Sequence, residues 1–163
     1  MAVRQIRLFG DPVLRGECVP VGALDEGIRA LVDDLVDTVK LPGRAGVAAP
    51  QIGVGVRAFS YNVDGAVGYV LNPVLVETSG EPEYIGEGCL SVPGLWHDVL
   101  RYPHAKVAGI DIDGNPIEVE GDGVLAQALQ HETDHLDGKL YIDRLEPADR
   151  RVAMREIRES DWF

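Results

Sequence analysis

The segment at residues 130–135 carries two histidines four residues apart, with a glutamate directly after the first histidine. Residues at positions i and i+4 lie on the same face of an α-helix, so a helix here would direct His131 and His135 to one point. Two imidazoles at this spacing are typical metal ligands, and Glu132 would be placed to take a proton from water bound to the metal ion. The chain has only four histidines, which makes a chance match rare. This segment therefore predicts a metal site on a helix.

The overall composition predicts one globular domain. The chain has 163 residues, of which 45% are hydrophobic and 26% are charged, as is usual for a domain with its own core. It has no long apolar run and no signal-peptide core, so we expect a cytoplasmic protein without membrane association. A net charge of −12 argues against general nucleic-acid binding. The two cysteines do not form a secreted disulfide pattern.

Local patterns predict an α+β fold with an antiparallel sheet. Helical periodicity and its end signals predict three helices: residues 26–40, a buried helix from residue 124 to Gly138, and residues 148–158. Alternating and β-branched runs predict strands at 57–63, 66–71, 74–78, 106–112 and 116–119. Asp64-Gly65 is a hairpin signal, and Asn72-Pro73 is expected to turn the chain between two strands.

A catalytic metal usually has three protein ligands and one open position, so two histidines leave the site incomplete. A third histidine six residues after His135 would indicate a metzincin-like site, but that position is Tyr141. A downstream Glu156 or Glu159 would make a thermolysin-like site. Cys89 lies in an expected loop of small residues between strands, and its thiolate would suit a borderline metal ion. The residues alone leave Cys89 and the two glutamates open.

Three segments resemble, in order and spacing, the signature motifs of the peptide deformylases. They are Gly-Val-Ala-Ala-Pro-Gln at 46–51, Glu-Gly-Cys-Leu-Ser at 87–91 and Gln-His-Glu-Thr-Asp-His at 130–135. Residues 9–15 also resemble the start of these enzymes, so the resemblance covers almost the whole chain. It implies one catalytic domain over residues 1–163, in which antiparallel sheets pack around a central HExxH helix, with an N-terminal and a C-terminal helix.

The resemblance also implies an activity, the removal of the formyl group from N-formylmethionine on new bacterial proteins with release of formate. It assigns three metal ligands, with water as the fourth: Cys89, His131 and His135. Glu132 would take the proton of this water and later give one to the leaving amine. Gln51 and the backbone N–H of Leu90 would stabilise the oxyanion, and the backbone of Gly46 would hold the formyl end.

The family commonly uses Fe²⁺, and Zn²⁺, Ni²⁺ or Co²⁺ also suit one thiolate and two imidazoles. In the family the peptide lies extended beside a sheet edge, with its methionine in an apolar pocket. The candidates for this pocket are Ala45, Val47, Val124, Ala128 and the stem of Gln127. The C-terminal helix of bacterial relatives is implicated in ribosome docking, and here it would present Arg151, Arg155 and Arg158.

The chain departs from the family pattern at two positions beside the expected cleft. Arg44 stands where many relatives have glycine, and we expect its side chain to point to solvent. Trp96 lies in a stretch where some relatives have a peptide-binding arginine. These two residues leave open a paralogue that deformylates another N-formyl compound. Two further alternatives concern the metal ligands: a metallopeptidase with Glu156 or Glu159 as ligand, and a closed structural metal site.

Overall fold

The computed structural model describes residues 2–163. In this range the chain forms three α-helices and seven β-strands. The helices are α1 (Glu26–Val39), α2 (Gly123–Leu136) and α3 (Pro147–Glu159). The strands are β1 (Gly46–Ala48), β2 (Ala58–Val63), β3 (Ala66–Ser79), β4 (Glu83–Cys89), β5 (Val92–Arg101), β6 (His104–Ile110) and β7 (Pro116–Asp122).

The strands form two antiparallel sheets. The larger sheet has the order β1-β2-β3-β6-β7, and β4 and β5 form a separate hairpin. Helix α2 packs against the larger sheet through a buried apolar cluster that includes Phe59, Val107 and Leu129. The predicted α+β fold, with antiparallel sheets around a central helix, is confirmed.

All three predicted helices are present. Helix α1 begins after Asp25, whose side chain accepts a hydrogen bond from the Ile28 N–H, and its apolar face is buried against the larger sheet. Helix α2 carries the HExxH segment, and all six residues at 130–135 are buried. Its last turn is followed by Gly138, as predicted. None of the helices within residues 2–163 combines the length and the hydropathy that crossing a bilayer requires.

The turn predicted at Asn72-Pro73 is wrong, because β3 continues through it as one strand to Ser79. Instead, the register of β3 against β6 shifts between Leu71 and Val74. Asn72 has a positive φ of 49°, and its side-chain amide pairs with the backbone of Val21: Oδ1 accepts from the N–H at 2.7 Å and Nδ2 donates to the carbonyl at 3.0 Å. Asn72 therefore makes a local bulge and attaches the segment before α1 to the sheet.

The segment around Cys89 is a strand, where the sequence predicted a loop. Gly86 and Gly88 lie within β4, although glycine is disfavoured in strands. A Cβ added to Gly86 would come within 2.2 Å of the Trp96 indole, and one added to Gly88 within 2.7 Å. The two glycines thus leave space for the ring of Trp96 from β5, and Cys89 becomes the last residue of β4.

Replacement of Asn72 by Ala should lower the free energy of unfolding by about 3 kcal/mol, because two hydrogen bonds are lost and Ala is strained at positive φ. Asp64, which is exposed in the hairpin turn with a φ of 52°, provides the matched control. Asp64→Ala introduces only the backbone strain and should lower the free energy of unfolding by about 1 kcal/mol. Urea unfolding in the presence of a chelator measures both values, and equal losses would contradict the role assigned to the Asn72 amide.

Candidate active site

Cys89, His131 and His135 converge at one point between α2 and the end of β4. Their ligand atoms all lie within 4.8 Å of one another. The Nε2 atoms of His131 and His135 are 3.1 Å apart, and Cys89 Sγ lies 3.4 Å from His135 Nε2. Each of the three residues is at most 9% exposed. These residues could hold a metal ion, with Cys89 supplying the thiolate.

The three donors fit a divalent transition-metal ion in spacing and in chemistry. Two imidazole nitrogens bound tetrahedrally at about 2.0–2.1 Å lie about 3.3 Å apart, close to the 3.1 Å between the two histidines. One thiolate and two imidazoles suit ions of the Fe to Zn series. Burial lowers the pKa of His135 well below its usual value, which keeps this imidazole in the neutral form that binds metal ions.

A buried carboxylate orients His131. The Nδ1–H of His131 donates to Glu87 Oε2 at 2.6 Å, which leaves Nε2 free to face the other two ligand atoms. Burial alone would raise the pKa of Glu87, but hydrogen bonds from Arg101 and His131 outweigh it and lower this pKa to about 2. Glu87 is therefore ionised and holds the Nδ1 edge of His131 in place.

Arg101, which is only 2% exposed, connects Glu87 to α2. Its Nε and Nη2 atoms donate to the two oxygens of Glu87 at 2.8 and 2.6 Å, and its Nη1 donates to Asp134 Oδ2 at 2.9 Å. Asp134 also accepts from Arg144. The sequence analysis missed Arg101 and Asp134, because no local spacing indicates a pair of residues that are 33 positions apart.

Glu132 lies beside the ligand group with one oxygen available. Its Oε2 is 3.9 Å from His131 Nε2, and within residues 2–163 its buried Oε1 has no hydrogen-bond partner. Burial raises the pKa of Glu132 to about 7. A Cβ added to Gly46 would lie 2.6 Å from Glu132 Oε2, so the glycine of β1 leaves the space that this carboxylate occupies. The arrangement suits a group that takes up and returns a proton near neutral pH.

Gln51 faces the ligand group from the other side. It belongs to the 3₁₀ helix Ala49–Ile52, and its Oε1 accepts from the Ala48 N–H at 2.9 Å. The amide nitrogen is thereby turned toward Cys89 Sγ, at 3.7 Å, and toward Ser91 Oγ, at 3.2 Å. Leu90 follows Cys89 directly and lines the same cleft. A side-chain amide donor therefore lies beside the three candidate metal ligands.

The cleft is an open cavity of about 840 Å³ that includes Cys89, His131 and Glu132 in its lining. The predicted substrate-binding residues Ala45, Gly46, Val124 and Ala128 line it, as does Gln127. Gln127 Nε2 donates to the carbonyl of Gly86 at 2.9 Å, which links α2 to β4 across the cleft floor. Trp96 forms an aromatic wall and is 70% exposed.

Two expectations for the cleft need correction. Val47 was expected in the side-chain pocket, but it is completely buried in the apolar cluster between α1 and the sheet, because successive side chains of β1 point to opposite faces. Arg44 was expected to point to solvent. It lines the cleft, and its Nη1 donates to the carbonyl of Thr38 at 3.0 Å, in the last turn of α1.

Neither glutamate proposed as an alternative ligand joins the group of potential ligands found among residues 2–163. Glu156 accepts a hydrogen bond from His97, and Glu159 is exposed on α3. No fourth His, Cys, Asp or Glu of these residues joins the group either. The geometry thus favours an open three-ligand site over a thermolysin-like or closed structural site.

Sequence comparisons match this chain to peptide deformylases. A family model described as polypeptide deformylase matches residues 3–151. The peptide deformylase of Acidothermus cellulolyticus is 51% identical over 162 residues, covering 99% of this chain and 89% of that protein. Peptide deformylase 1 of Corynebacterium efficiens is 46% identical, covering 100% of this chain and 99% of that protein.

Solved structures of peptide deformylases also match the fold of this chain. The crystal structure of a peptide deformylase from Legionella pneumophila has a TM-score of 0.89 at 38% identity and covers 97% of this chain and 95% of its own. The peptide deformylase of Ehrlichia chaffeensis in complex with actinonin has a TM-score of 0.88 at 33% identity, with 99% of both chains covered.

Replacement of Arg101 by Met should lower the free energy of unfolding by about 3–5 kcal/mol, because Glu87 and Asp134 would remain buried without their shared partner. Arg144→Met is the matched control, since the Arg144 side chain also pairs with Asp134 but is 43% exposed. The control should cost about 1 kcal/mol or less. Urea unfolding of the metal-free proteins measures the difference. Similar small losses of stability in both variants would show that the buried pair of Arg101 and Glu87 contributes no more than the partly exposed pair of Arg144 and Asp134.

Proposed function

The chain belongs to the peptide deformylase family, and on that premise we propose that it hydrolyses the N-formyl group of N-formylmethionine at the N-terminus of newly made proteins, releasing formate. The observation that carries the proposal is the convergence of Cys89, His131 and His135 beside Glu132 and Gln51 in one open cleft. The cleft draws on both sheets and on α2, so we also propose that residues 1–163 act as one catalytic domain.

We propose that Cys89, His131 and His135 bind Fe²⁺, with Zn²⁺, Ni²⁺ and Co²⁺ as alternatives that the same donors accept. Such an ion supplies a Lewis acid and lowers the pKa of coordinated water toward neutrality. The ionised Glu87 supports this role for His131, because its hydrogen bond keeps the Nε2 lone pair directed at the ligand group.

Glu132 is the proposed general base and acid. Its Oε1 would take the proton of the attacking water while a C–O bond forms at the formyl carbon. The same carboxyl group would then give a proton to the leaving amine nitrogen as the C–N bond breaks, which yields formate and a free N-terminus. A pKa of about 7 supports both transfers near neutral pH, because neither protonation state is strongly disfavoured there.

Gln51 and the backbone N–H of Leu90 are the proposed donors to the developing oxyanion. The support for Gln51 is its orientation, since the bond from Ala48 N–H to its Oε1 leaves the amide N–H groups facing Cys89. A formamide carbonyl is a poor electrophile, so preorganised donors matter for its hydrolysis. Loss of one such donor typically lowers the rate by about 10²–10³-fold.

The peptide is proposed to lie extended beside β1, which is an edge strand of the larger sheet. Gly46, at the start of this strand, would hold the formyl end through its backbone. The methionine side chain would enter the apolar part of the cleft between Ala45, Val124 and Ala128, all of which line it. The support for this pocket is its position directly beside His131 and Glu132.

The test combines formate release from formyl-Met-Ala-Ser with metal analysis of the same anaerobic sample. Glu132→Gln should keep the metal and lower turnover by about 10²–10⁴-fold, because the proton acceptor is lost. Cys89→Ser should sharply lower the metal content, since a thiolate ligand is replaced by a hydroxyl. The metal analysis of the unmodified protein identifies the ion.

Failure of the unmodified protein to release formate from any N-formyl peptide would sink the proposed activity. Activity on other N-formyl compounds, without activity on formyl-Met-Ala-Ser, would indicate the specialised paralogue instead. Unchanged turnover in Glu132→Gln would remove Glu132 from its role.

We further propose a transient ribosome contact through one face of α3. Its supporting residues are exposed, lie at helical spacing and have no ion-pair partner among residues 2–163: Arg151, Arg155 and Arg158. Glu156, which could balance their charge, is instead bonded to His97. Glu159 is also exposed on this helix, so three arginines against one glutamate leave the face with a net positive charge in a chain whose net charge is −12.

Changing these three arginines to Gln should weaken co-sedimentation with ribosomes by about tenfold and reduce its salt dependence, because phosphate contacts are lost. The matched control removes three positive charges from exposed side chains elsewhere, at Arg29, Lys40 and Lys139. Deformylation of free peptide should be unchanged in both variants. Equal binding of the two variants to ribosomes would contradict a contact through α3.

A further inference from the structure

His97 of β5 lies between two hydrogen-bonding partners from other elements. Its Nδ1 is 2.8 Å from the hydroxyl of Tyr141, and its Nε2 is 2.7 Å from Glu156 Oε1. Tyr141 begins the 3₁₀ helix Tyr141–Arg144, and Glu156 belongs to α3. Hydrogen bonds thus connect the three side chains from the surface of α3, where Glu156 is 40% exposed, to the buried Tyr141.

The chemistry of the groups sets the direction of both hydrogen bonds. An ionised carboxylate only accepts, so His97 Nε2–H donates to Glu156. A neutral imidazole then has an unprotonated Nδ1, which accepts from the Tyr141 O–H. The hydroxyl proton of Tyr141 is thereby directed to His97 and away from the metal ligands.

Tyr141 packs beside the group of candidate ligands. Its ring lies 6.5 Å from that of His131, with 22° between the planes, which is an offset stack. It also belongs to the same buried apolar cluster as Cys89. Glu87 holds His131 at its Nδ1 edge, and the Tyr141 ring lies nearly parallel to the imidazole, strongly offset from it. The position of the Tyr141 ring therefore limits how the His131 imidazole can tilt.

We propose that His97 is a positioning residue of the metal site, which acts through Tyr141 on the orientation of His131 and which is itself held by Glu156. The inference rests on the proposed function, because it takes Cys89, His131 and His135 as the metal ligands. Removal of His97 leaves the buried hydroxyl of Tyr141 without its acceptor. The ring then shifts to satisfy the hydroxyl, and the imidazole stacked on it loses its fixed orientation.

The test measures Co²⁺ binding by competition with a chelator, together with the visible absorption spectrum of the bound Co²⁺. His97→Ala should weaken Co²⁺ binding by about tenfold, the lower end of the loss seen when an outer partner of a metal ligand is removed. It should also shift the absorption bands, which report ligand geometry. A change in folding stability alone would not shift them.

Tyr141→Phe keeps the ring and removes only the hydroxyl, so it should shift the spectrum in the same direction. Because both substitutions break the same hydrogen bond, the double variant should bind Co²⁺ about as well as His97→Ala. Additive losses would show that His97 does not act through Tyr141 and would overturn the proposal.

His104→Ala is the matched control, because His104, like His97, has a hydrogen-bonding partner at each ring nitrogen, here Asp122 at 2.6 Å and Glu120 at 2.7 Å. It lies at the start of β6, outside the cleft lining, and should leave Co²⁺ affinity and spectrum unchanged. If His97→Ala does not fold, Glu156→Ala tests the same series of hydrogen bonds from its partly exposed end. We expect it to cause a smaller spectral shift.

Two failures are distinguishable. If Cys89→Ser binds Co²⁺ as tightly as the unmodified protein, the proposed metal site itself is wrong. If Cys89→Ser loses Co²⁺ while His97→Ala, or Glu156→Ala in its place, keeps the unmodified affinity and spectrum, the metal site stands and the role of His97 is overturned.

Discussion

The buried ion pair between Glu87 and Arg101 determines how the β4–β5 hairpin sits on α2. Arg101, at the end of β5, binds both oxygens of Glu87 and reaches Asp134 on the helix. Glu87 in turn accepts from His131. Because Cys89 ends the strand that carries Glu87, while both histidines lie on α2, the spacing of the three proposed metal ligands depends on this docking.

A buried charge network fixes such an interface only at a large desolvation cost. Removing a carboxylate or guanidinium from water costs several kcal/mol per ion, and only well-directed hydrogen bonds offset that cost. An apolar contact tolerates small shifts, whereas the bidentate pair of Arg101 and Glu87 holds only in one register. The bond from Gln127 to the Gly86 carbonyl adds a second point between hairpin and helix. The network therefore contributes specificity of position more than net stability.

Features with a local pattern could be predicted from the sequence, and features made by distant contacts could not. Helices α1 to α3 and the hairpin at Asp64 depend on periodicity, caps and turn residues a few positions apart. The strand character of β4 depends on Trp96 covering its glycines, and Cys89 lies 46 positions from His135. Cys89 was therefore assigned as a ligand by family resemblance, while Arg101 and the burial of Val47 became visible only in the fold.

Tyr141 occupies the position from which a third histidine ligand would come in another class of site, whereas the proposed third ligand, Cys89, lies in the β4–β5 hairpin. The metzincin motif has a glycine three residues and a third histidine six residues after its second histidine. Here α2 ends at Leu136, and Gly138, with a φ of 75°, occupies the glycine position of that pattern. The residue at the third position, Tyr141, is aromatic, stacks beside His131 and is hydrogen-bonded through its hydroxyl to His97. The segment after α2 thus contributes a wall, and the remaining ligand position is open to a thiolate from β4.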